Sequence, residues 1–327
     1  MKNLKKIGLT ALAASLVSTS VFAGELTVTG AASLSVENYS GVNVDTGKAF
    51  TMGNEINFNG SGELDNGVNV AVHFQLDEGA NGGTSENNVW DNHSVTVSSD
   101  ALGTLVFAGH GGSTAQGAID GTAAGDIFDN FDGQLTAATT TDDVVVRSSA
   151  GGNNIMLYTL PSLVDGLSVS ASYTPQGATN EASTAYAATY TGVEGLSVSY
   201  GVGEDNDGLT ATKADATTMS AKYAYGPITV AYSDNEYDST TDNSDQDTTS
   251  YSVAYTVTDA ISVSYGQEDI STGNTSEVDA EFSKIAVSYT TGGMTLSASS
   301  QEAKNIEYNT DTDGDQDYWS LGLSFAF

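Results

Sequence analysis

The sequence predicts an all-β fold, a transmembrane antiparallel β-barrel of about 16 strands with a third loop folded inward. Apolar and small polar residues alternate from Tyr318 to Phe327, so one face of a strand would meet lipid and the other water. The same alternation recurs along the chain, for example from Leu167 to Tyr173. The chain also has 36 glycines and 3 prolines, which favours strands joined by turns over helices.

The first 23 residues are typical of a secretory signal peptide. Three lysines lie within the first six positions, a short apolar run covers residues 7–17, and Ala23 ends a small-residue cleavage pattern. No later window approaches the roughly 20 apolar residues that a membrane helix needs, which argues against a helical membrane protein. We therefore expect residues 24–327 to form one barrel domain.

The charge balance excludes one class of partner. The chain has 42 Asp and Glu against 9 Lys and Arg, a formal net charge of −33. Nucleic acid binding needs a basic surface, so we expect no nucleic acid partner. The chain has no cysteine, and an exported protein without disulfides needs another source of stability. Closure of a sheet into a barrel would supply it.

Tyrosines divide the second half of the chain into hairpins. One row of tyrosines precedes short connections and recurs every 30 to 35 residues, which fits one hairpin plus one longer loop. A second row lies near the long acidic loops, so amphipathic rings would mark both membrane interfaces. The rows are Tyr158, Tyr190, Tyr225, Tyr255 and Tyr289, and Tyr173, Tyr200, Tyr232 and Tyr265.

Alternation and turn residues predict sixteen strands. An even number places both ends of the chain on the periplasmic side and the long acidic loops outside. The predicted strands are 25–37, 50–63, 68–78, 91–99, 104–110, 144–159, 166–174, 184–191, 196–203, 217–225, 227–236, 248–257, 260–269, 278–290, 294–303 and 316–327.

One connection, residues 111–143, is much longer than the others; we call it the long segment. Loops of this length usually have a function. Its apolar residues are poor choices for a loop in water and favour packing against the barrel wall. They are Ile119, Ile127, Phe128, Phe131 and Leu135.

Three stretches carry a family resemblance. They are SSDALGTLVFAGH at 98–110, NNIMLYTLPSLVDGLSVSASY at 153–173, and the terminal aromatic strand. On these the mature chain resembles a general diffusion porin of the Gram-negative outer membrane, closest to the alphaproteobacterial type. In that family the third external loop folds into the barrel and narrows the pore. The resemblance implies that residues 111–143 are the constriction loop and that the protein is a homotrimer.

The resemblance also implies that acidic residues of the loop face basic residues on the opposing wall. Arg147 is the best basic candidate, although an ion pair with a loop acid would explain it equally well. His110 stands where an arginine is common in the family. The acidic candidates are Asp120, Asp126, Asp129 and Asp132, each of which would serve equally as a solvated loop residue; His73, His110 and Lys222 are candidate lumen residues, with Lys48 and Lys284 as further inward cations.

The excess of carboxylates predicts a passive channel for ions and small hydrophilic solutes that prefers cations. A substrate-selective porin is the alternative, although the predicted lumen positions are mostly Ser, Thr, Gly and Ala rather than an ordered binding track. A secreted calcium-binding β protein is a remote alternative, and the tandem glycine-aspartate nonapeptides that it requires are missing from the sequence.

No sequence pattern indicates an enzyme. The chain lacks G-x-S-x-G, a Cys-His pair and zinc-ligand spacing. We expect no cofactor, with loop-bound calcium open at the acidic run 309–317, and we assign no metal ligands. Expected partners are outer-membrane lipid, lipopolysaccharide, and the barrel-assembly machinery, which would engage the terminal Phe327.

Overall fold

The computed structural model describes residues 26–41, 48–77, 90–131, 146–177, 181–206, 213–241, 244–306, 308 and 315–327. The predicted signal peptide, Asp132, Leu135 and most of the acidic run 309–317 lie outside these residues, as does the side chain of Lys48.

Sixteen strands form one closed antiparallel barrel, in which each strand pairs with its neighbours in sequence and β1 pairs with β16. The predicted number and order of strands are confirmed. The strands are β1 Leu26–Gly41, β2 Lys48–Glu63, β3 Asn69–Asp77, β4 Asn92–Ser99, β5 Gly103–His110, β6 Ile155–Thr159, β7 Leu167–Thr174, β8 Ser183–Tyr190, β9 Leu196–Asp205, β10 Ala214–Tyr225, β11 Ile228–Ser239, β12 Gln246–Thr258, β13 Ile261–Thr272, β14 Ala280–Thr291, β15 Met294–Lys304 and β16 Gln316–Ala326.

The barrel closes where its first strand meets its last. Leu34 lies opposite Leu323, and the backbones of Gly30 and Phe327 exchange two hydrogen bonds of 2.8 and 2.9 Å. A side chain at Gly30 would approach the Phe327 ring to 2.7 Å, so a larger residue at this seam would require the ring to move. Closure leaves no free strand edge, which is how a sheet meets its hydrogen-bonding needs in lipid.

Strand register preserves two different faces around the wall. In β11 and β12, Val230 pairs with Val253, whereas Ser233 pairs with Ser250 on the alternate row. We call these rows the apolar face and the polar face. Both predicted tyrosine rows lie on the apolar face, because each tyrosine pairs with an apolar-row neighbour such as Tyr232 with Tyr251. In a membrane barrel the apolar face meets lipid and the polar face lines the interior.

The sixth strand is shorter than predicted, since β6 begins at Ile155 rather than at 144. The residues before it bond elsewhere: Gly152 pairs with Gly112, and the Ala150 amide donates to the Glu204 carbonyl at 3.3 Å. Arg147 therefore precedes the strand instead of lying on it. Among the described residues, no helix has both the length and the apolar character to cross a membrane.

Candidate functional site

The long segment leaves the barrel at His110, the last residue of β5. The Gly112 and Gly152 backbones exchange hydrogen bonds of 2.7 and 2.9 Å, so the residues that enter and leave the segment are paired. Asn92 Nδ2 also donates to the Gly111 carbonyl at 3.3 Å. These bonds fix the base of the segment beside β4 and β5.

Gln116 joins the start of the segment to the wall. Its Nε2 donates to Thr218 Oγ1 on β10 at 2.8 Å, and its Oε1 accepts from the Ser149 amide and hydroxyl at 2.9 and 2.7 Å. The Ala115 amide donates to Ser172 Oγ on β7 at 2.9 Å. Gln116 and Thr218 are buried, so these bonds are shielded from water.

Serines of the polar face act as partners for the segment's backbone. The Ala123 and Ala124 amides donate to Ser233 and Ser250 at 2.8 and 2.9 Å, and Ser252 Oγ donates to the Ala123 carbonyl at 2.7 Å. A backbone that lies on a wall without forming a strand must satisfy its polar groups in this way. The small hydroxyl residues between the apolar positions thus have a specific structural use.

Glycines on the polar face let the segment approach closely. A side-chain carbon at Gly201 would lie 2.9 Å from Ile119, and one at Gly266 would lie 2.6 Å from Cβ of Ala124. Ile119 packs beside a small cluster of buried alanines, as predicted for an apolar residue of the segment. A larger residue at Gly266 would displace the segment at Ala124, and one at Gly201 would require the end of the Ile119 side chain to move.

A buried glutamate, Glu268 on β13, contacts the middle of the segment. It is 0% exposed. Its Oε1 accepts from the Ile127 amide at 2.9 Å and from the Thr122 hydroxyl, and its Oε2 accepts from the Phe128 amide at 3.1 Å. Alternation places Glu268 on the polar face, but nothing in the sequence shows that three donors from residues 122–128 would converge on it.

The end of the described segment is held by apolar packing. Ile127, Phe128 and Phe131 are buried with Ile270 and Phe282 of the wall, and the rings of Phe131 and Phe282 are 5.8 Å apart. Their predicted packing against the wall is confirmed. The cluster also contains Ala280, Ala303, Ile306, Tyr308 and Tyr318.

Asp120 is a half-buried member of the described candidate aspartates. Burial raises the pKa of its carboxyl, the negative charge of Asp126 raises it further, and a hydrogen bond with Ser148 opposes both effects. Its backbone carbonyl accepts from Asn235 Nδ2 at 2.9 Å, which ties it to β11. Asp120 is thus held in a fixed place and keeps its proton to a higher pH than a solvated aspartate.

The other candidate aspartates differ from one another. Asp126 Oδ1 accepts from the Thr122 amide at 2.9 Å, so this carboxylate supports the segment's own backbone. Asp129 is exposed in the short 3-10 helix Phe128–Asn130. Asp132 lies outside the described residues. The structure therefore describes three of the four candidates within one ten-residue stretch.

Arg147 is exposed and directed toward the loop end of β11 and β12. Its Nη1 donates to the Ser244 carbonyl at 3.1 Å, and its guanidinium lies 5.6 Å from the ring centre of Tyr237. Within the described part of the chain, Arg147 forms no salt bridge with Asp120, Asp126 or Asp129. The salt bridges found there join Lys213 to Glu181 and Lys304 to Glu302.

Two of the three histidines are the predicted candidates. His73 pairs with Asn59 on the polar face, and its Nδ1 lies 2.8 Å from Asn59 Oδ1. His110 is hydrogen-bonded through Nδ1 to the Asp91 carbonyl, and its ring stacks 6.4 Å from that of His93. His73 is thus a member of the polar wall, whereas His110 marks the point where the segment departs.

Lys222 and Lys284 both occupy polar-face positions. Lys222 is paired with Ala231 and lines a cavity of about 370 Å³ beneath Gly121 to Ala123. Lys284 is paired with Gln301 and lines a cavity of about 340 Å³ that Asn130 also borders. The two lysines are therefore on the wall that the segment covers.

Carboxylates on the polar face of β1–β3 were missed by the sequence analysis. Glu55 and Asp77 are direct partners across β2 and β3, and Glu37 on β1 accepts from Tyr318 Oη at 2.9 Å. The alternation of residues along β2 could have indicated them, because Ile56 is apolar and its neighbour Glu55 must face the opposite side of the strand. Opposed carboxylates without a cation between them create a region of negative potential.

No group of three or more metal-ligating side chains is arranged to hold an ion in the described ranges of the chain. The open calcium site at 309–317 lies mostly outside those ranges, so it stays a prediction.

The comparisons with known proteins concern almost the whole chain. A family model described as Gram-negative porin matches residues 8–283. None of the curated protein sequences matches the chain.

Several solved structures share this fold. The anion-selective porin from Comamonas acidovorans has 14% identity and a TM-score of 0.67, covering 93% of this chain and 100% of that one. OmpT of Vibrio cholerae, in a trimer form, has 16% identity and a TM-score of 0.67 with the same coverage. OmpF of Salmonella typhi, in complex with daunomycin, has 13% identity and a TM-score of 0.68, covering 93% and 98%. At these identities the likeness shows a common fold.

Proposed function

The chain belongs to the Gram-negative porin family and is a passive diffusion channel of the outer membrane, and we propose that it prefers cations and is narrowed by its long segment. The permeant species would be ions and small hydrophilic solutes. No step of chemical catalysis is involved.

The contacts of the long segment support its position inside the barrel. Ala115 bonds to β7 and Asn130 accepts from Tyr39 on β1, and the contacts between them follow β10, β11, β12 and β13. That route covers ten strand spacings, about 48 Å along the wall at roughly 4.8 Å per strand. Fifteen residues reach about 50 Å only when fully extended. This stretch contains turns and a 3-10 helix and is therefore shorter than a fully extended chain, which supports a path through the interior.

The proposed narrow zone has acidic groups on both sides. The segment contributes Asp120, Asp126 and Asp129, with Asp132 as the fourth proposed member. Since the described part of the segment contacts strands from β7 round to β1, the wall left facing it includes β2 and β3, which carry Glu55 and Asp77. The sequences of β1–β5 contain no arginine and one lysine, Lys48.

The described basic side chains of the barrel wall and of residues 146–152 lie away from this acidic zone. We propose that Arg147 acts near the loop end of β11 and β12, because its guanidinium is directed at Ser244 and Tyr237. Lys222 and Lys284 lie on the wall covered by the segment. Negative groups on a narrow, low-dielectric passage concentrate cations and repel anions. The Glu55–Asp77 pair is the observation on which the cation preference rests.

We also propose a homotrimer in contact with outer-leaflet lipid and lipopolysaccharide. A trimer form is known for a protein of the same fold. Phe327 forms the closing seam with Gly30, and its exposed side chain suits recognition by the barrel-assembly machinery. Native gel mobility with and without heating would test the trimer.

The reversal potential of single channels under a KCl gradient tests the cation preference. We expect cation selectivity, reduced to roughly half in permeability ratio when Glu55→Gln and Asp77→Asn are combined. Glu281→Gln is the matched control, because Glu281 pairs with Asp269 on the apolar face. An anion-selective wild-type channel would reject the proposal, since the fold also occurs in a protein described as anion-selective.

A further inference from the structure

We propose that Glu268 is the positioning residue that holds the long segment at its fixed distance from the wall, and so sets the width of the pore. This inference rests on the proposed narrowing by that segment. It adds a specific wall residue and a mechanism of attachment.

The segment is shaped to bind an anion at this point. Gly125 and Asp126 are consecutive residues with positive φ, +82° and +48°. Backbone that turns through successive residues of this kind directs neighbouring amide groups toward one point, which makes a concavity for negative charge. Here the amides of Ile127 and Phe128 are the groups that converge.

Glu268 fills this concavity from the wall. Both of its oxygens accept backbone amide hydrogens, and Thr122 adds a hydroxyl donor. Thr122 Oγ1 in turn accepts from the Asp126 amide at 2.7 Å, so the residues that form the concavity are cross-linked through the same hydroxyl. Hydrogen bonds to a charged carboxylate are stronger than those to a neutral group, particularly where water is excluded.

Glu268 differs in charge from the wall residues that the segment contacts on β11 and β12. The segment meets β11 and β12 through hydrogen bonds to uncharged side chains, namely Ser233, Asn235, Ser250 and Ser252, and a shift of the backbone would break these bonds without leaving a buried charge. At Glu268 any shift would leave a carboxylate that is 0% exposed without its donors, which is strongly unfavourable. Glu268 is therefore an attachment whose loss would leave a buried charge on the wall, in addition to the buried bonds of Gln116 and the apolar cluster around Phe131.

Glu268→Gln tests this role because it keeps the side-chain size and removes the charge. We expect single-channel conductance in 1 M KCl to rise roughly twofold, with greater open-channel noise, and larger neutral sugars to enter liposomes faster. Neutral sugars and high salt report width rather than charge, because the Debye length is about 3 Å at 1 M. A purely structural role in the barrel would change the unfolding temperature on a heated gel without changing these quantities.

Thr122→Val is the second variant, since it removes one donor to Glu268 from the segment and leaves the wall intact. It should change sugar flux in the same direction by a smaller factor. Glu281→Gln is again the matched control and should behave as wild type. Should Glu268→Gln fail to assemble, Thr122→Val alone decides the question.

Wild-type sugar flux and conductance in both variants would overturn the inference, as would a Glu268→Gln effect no larger than that of Glu281→Gln. Failure of the proposed cation preference is a separate result, visible as an anion-selective reversal potential in the wild type. Sealed liposomes with wild-type protein would instead contradict channel activity itself.

Discussion

Individual carboxylates in this barrel have different surroundings and therefore different effects. Asp129 is exposed on the long segment, Asp126 bonds to the segment's backbone, and Glu268 is fully buried with three donors. The formal charge of the chain treats these groups alike. Only a carboxylate that is ionised and accessible to the passage contributes fully to ion selectivity.

The effect of such surroundings can be measured through the titration of Asp120. Because burial raises the pKa of its carboxyl, Asp120 is protonated at a higher pH than an exposed aspartate as the solution is acidified. As the pH is lowered, we expect the cation-to-anion permeability ratio to begin falling at a pH above the usual range of aspartate pKa values. Asp120→Asn should remove this early part of the titration. Permeability ratios between pH 7 and pH 3 would show it.

Asp129→Asn is the control, as it removes an exposed aspartate from the same segment. It should lower the cation preference at neutral pH while leaving the early part of the titration in place. Identical titration curves for wild type and Asp120→Asn would contradict the assignment.

The described part of the long segment, residues 111–131, has one short 3-10 helix and is stabilised mainly by the wall. Its backbone bonds to wall serines, Ile127 and Phe128 bond to Glu268, and Phe131 packs in an apolar cluster. Wall glycines such as Gly266 allow the approach. Such an element is as rigid as its attachments, so changes on the wall should act on the passage at a distance.

Shortening the segment should widen the passage. Replacement of residues 117–128 by a brief Gly-Ser link removes Asp120, Asp126 and the donors to Glu268, while the Gly112–Gly152 pairing at the base remains. We expect conductance at 1 M KCl to increase by roughly twofold or more. An unchanged conductance, in a variant that still shows the heat-dependent gel shift of a folded barrel, would mean that the segment does not narrow the pore.

At the scale of the whole molecule, the barrel separates lipid from water by strict alternation around sixteen strands. The predicted tyrosine rows lie on the apolar face, and we expect the long acidic loops to add negative charge outside the membrane. Fixed groups lining the passage and the charge of the loops both attract cations, but salt screens them at different distances.

Salt dependence should reveal both contributions. The Debye length is about 10 Å at 0.1 M and about 3 Å at 1 M, so high salt screens the loop charges more completely than the lining groups. We expect the cation-to-anion permeability ratio to fall by roughly twofold between these concentrations and to remain above one. A ratio independent of salt would show that the distant acidic loops contribute nothing.

Much of the fold could be predicted because alternation acts locally. Ile228, Val230 and Tyr232 share one face in any strand, so the sequence alone predicted the wall, its two tyrosine rows and the strand order. The predicted start of β6 was wrong because the residues before Ile155 form hydrogen bonds with Gly112 and Glu204, which are distant in sequence. Local patterning carries no information about such partners.

The sequence by itself determined that this chain closes into a barrel with acidic loops, because period-two alternation and charge are properties of each short stretch. The tertiary structure decided which groups meet: Glu268 with the amides of Ile127 and Phe128, Glu55 with Asp77, and Arg147 with Tyr237 rather than with any of the three described loop aspartates. The physical reason is that these contacts depend on barrel closure and on the path of one irregular segment. Local periodicity encodes neither.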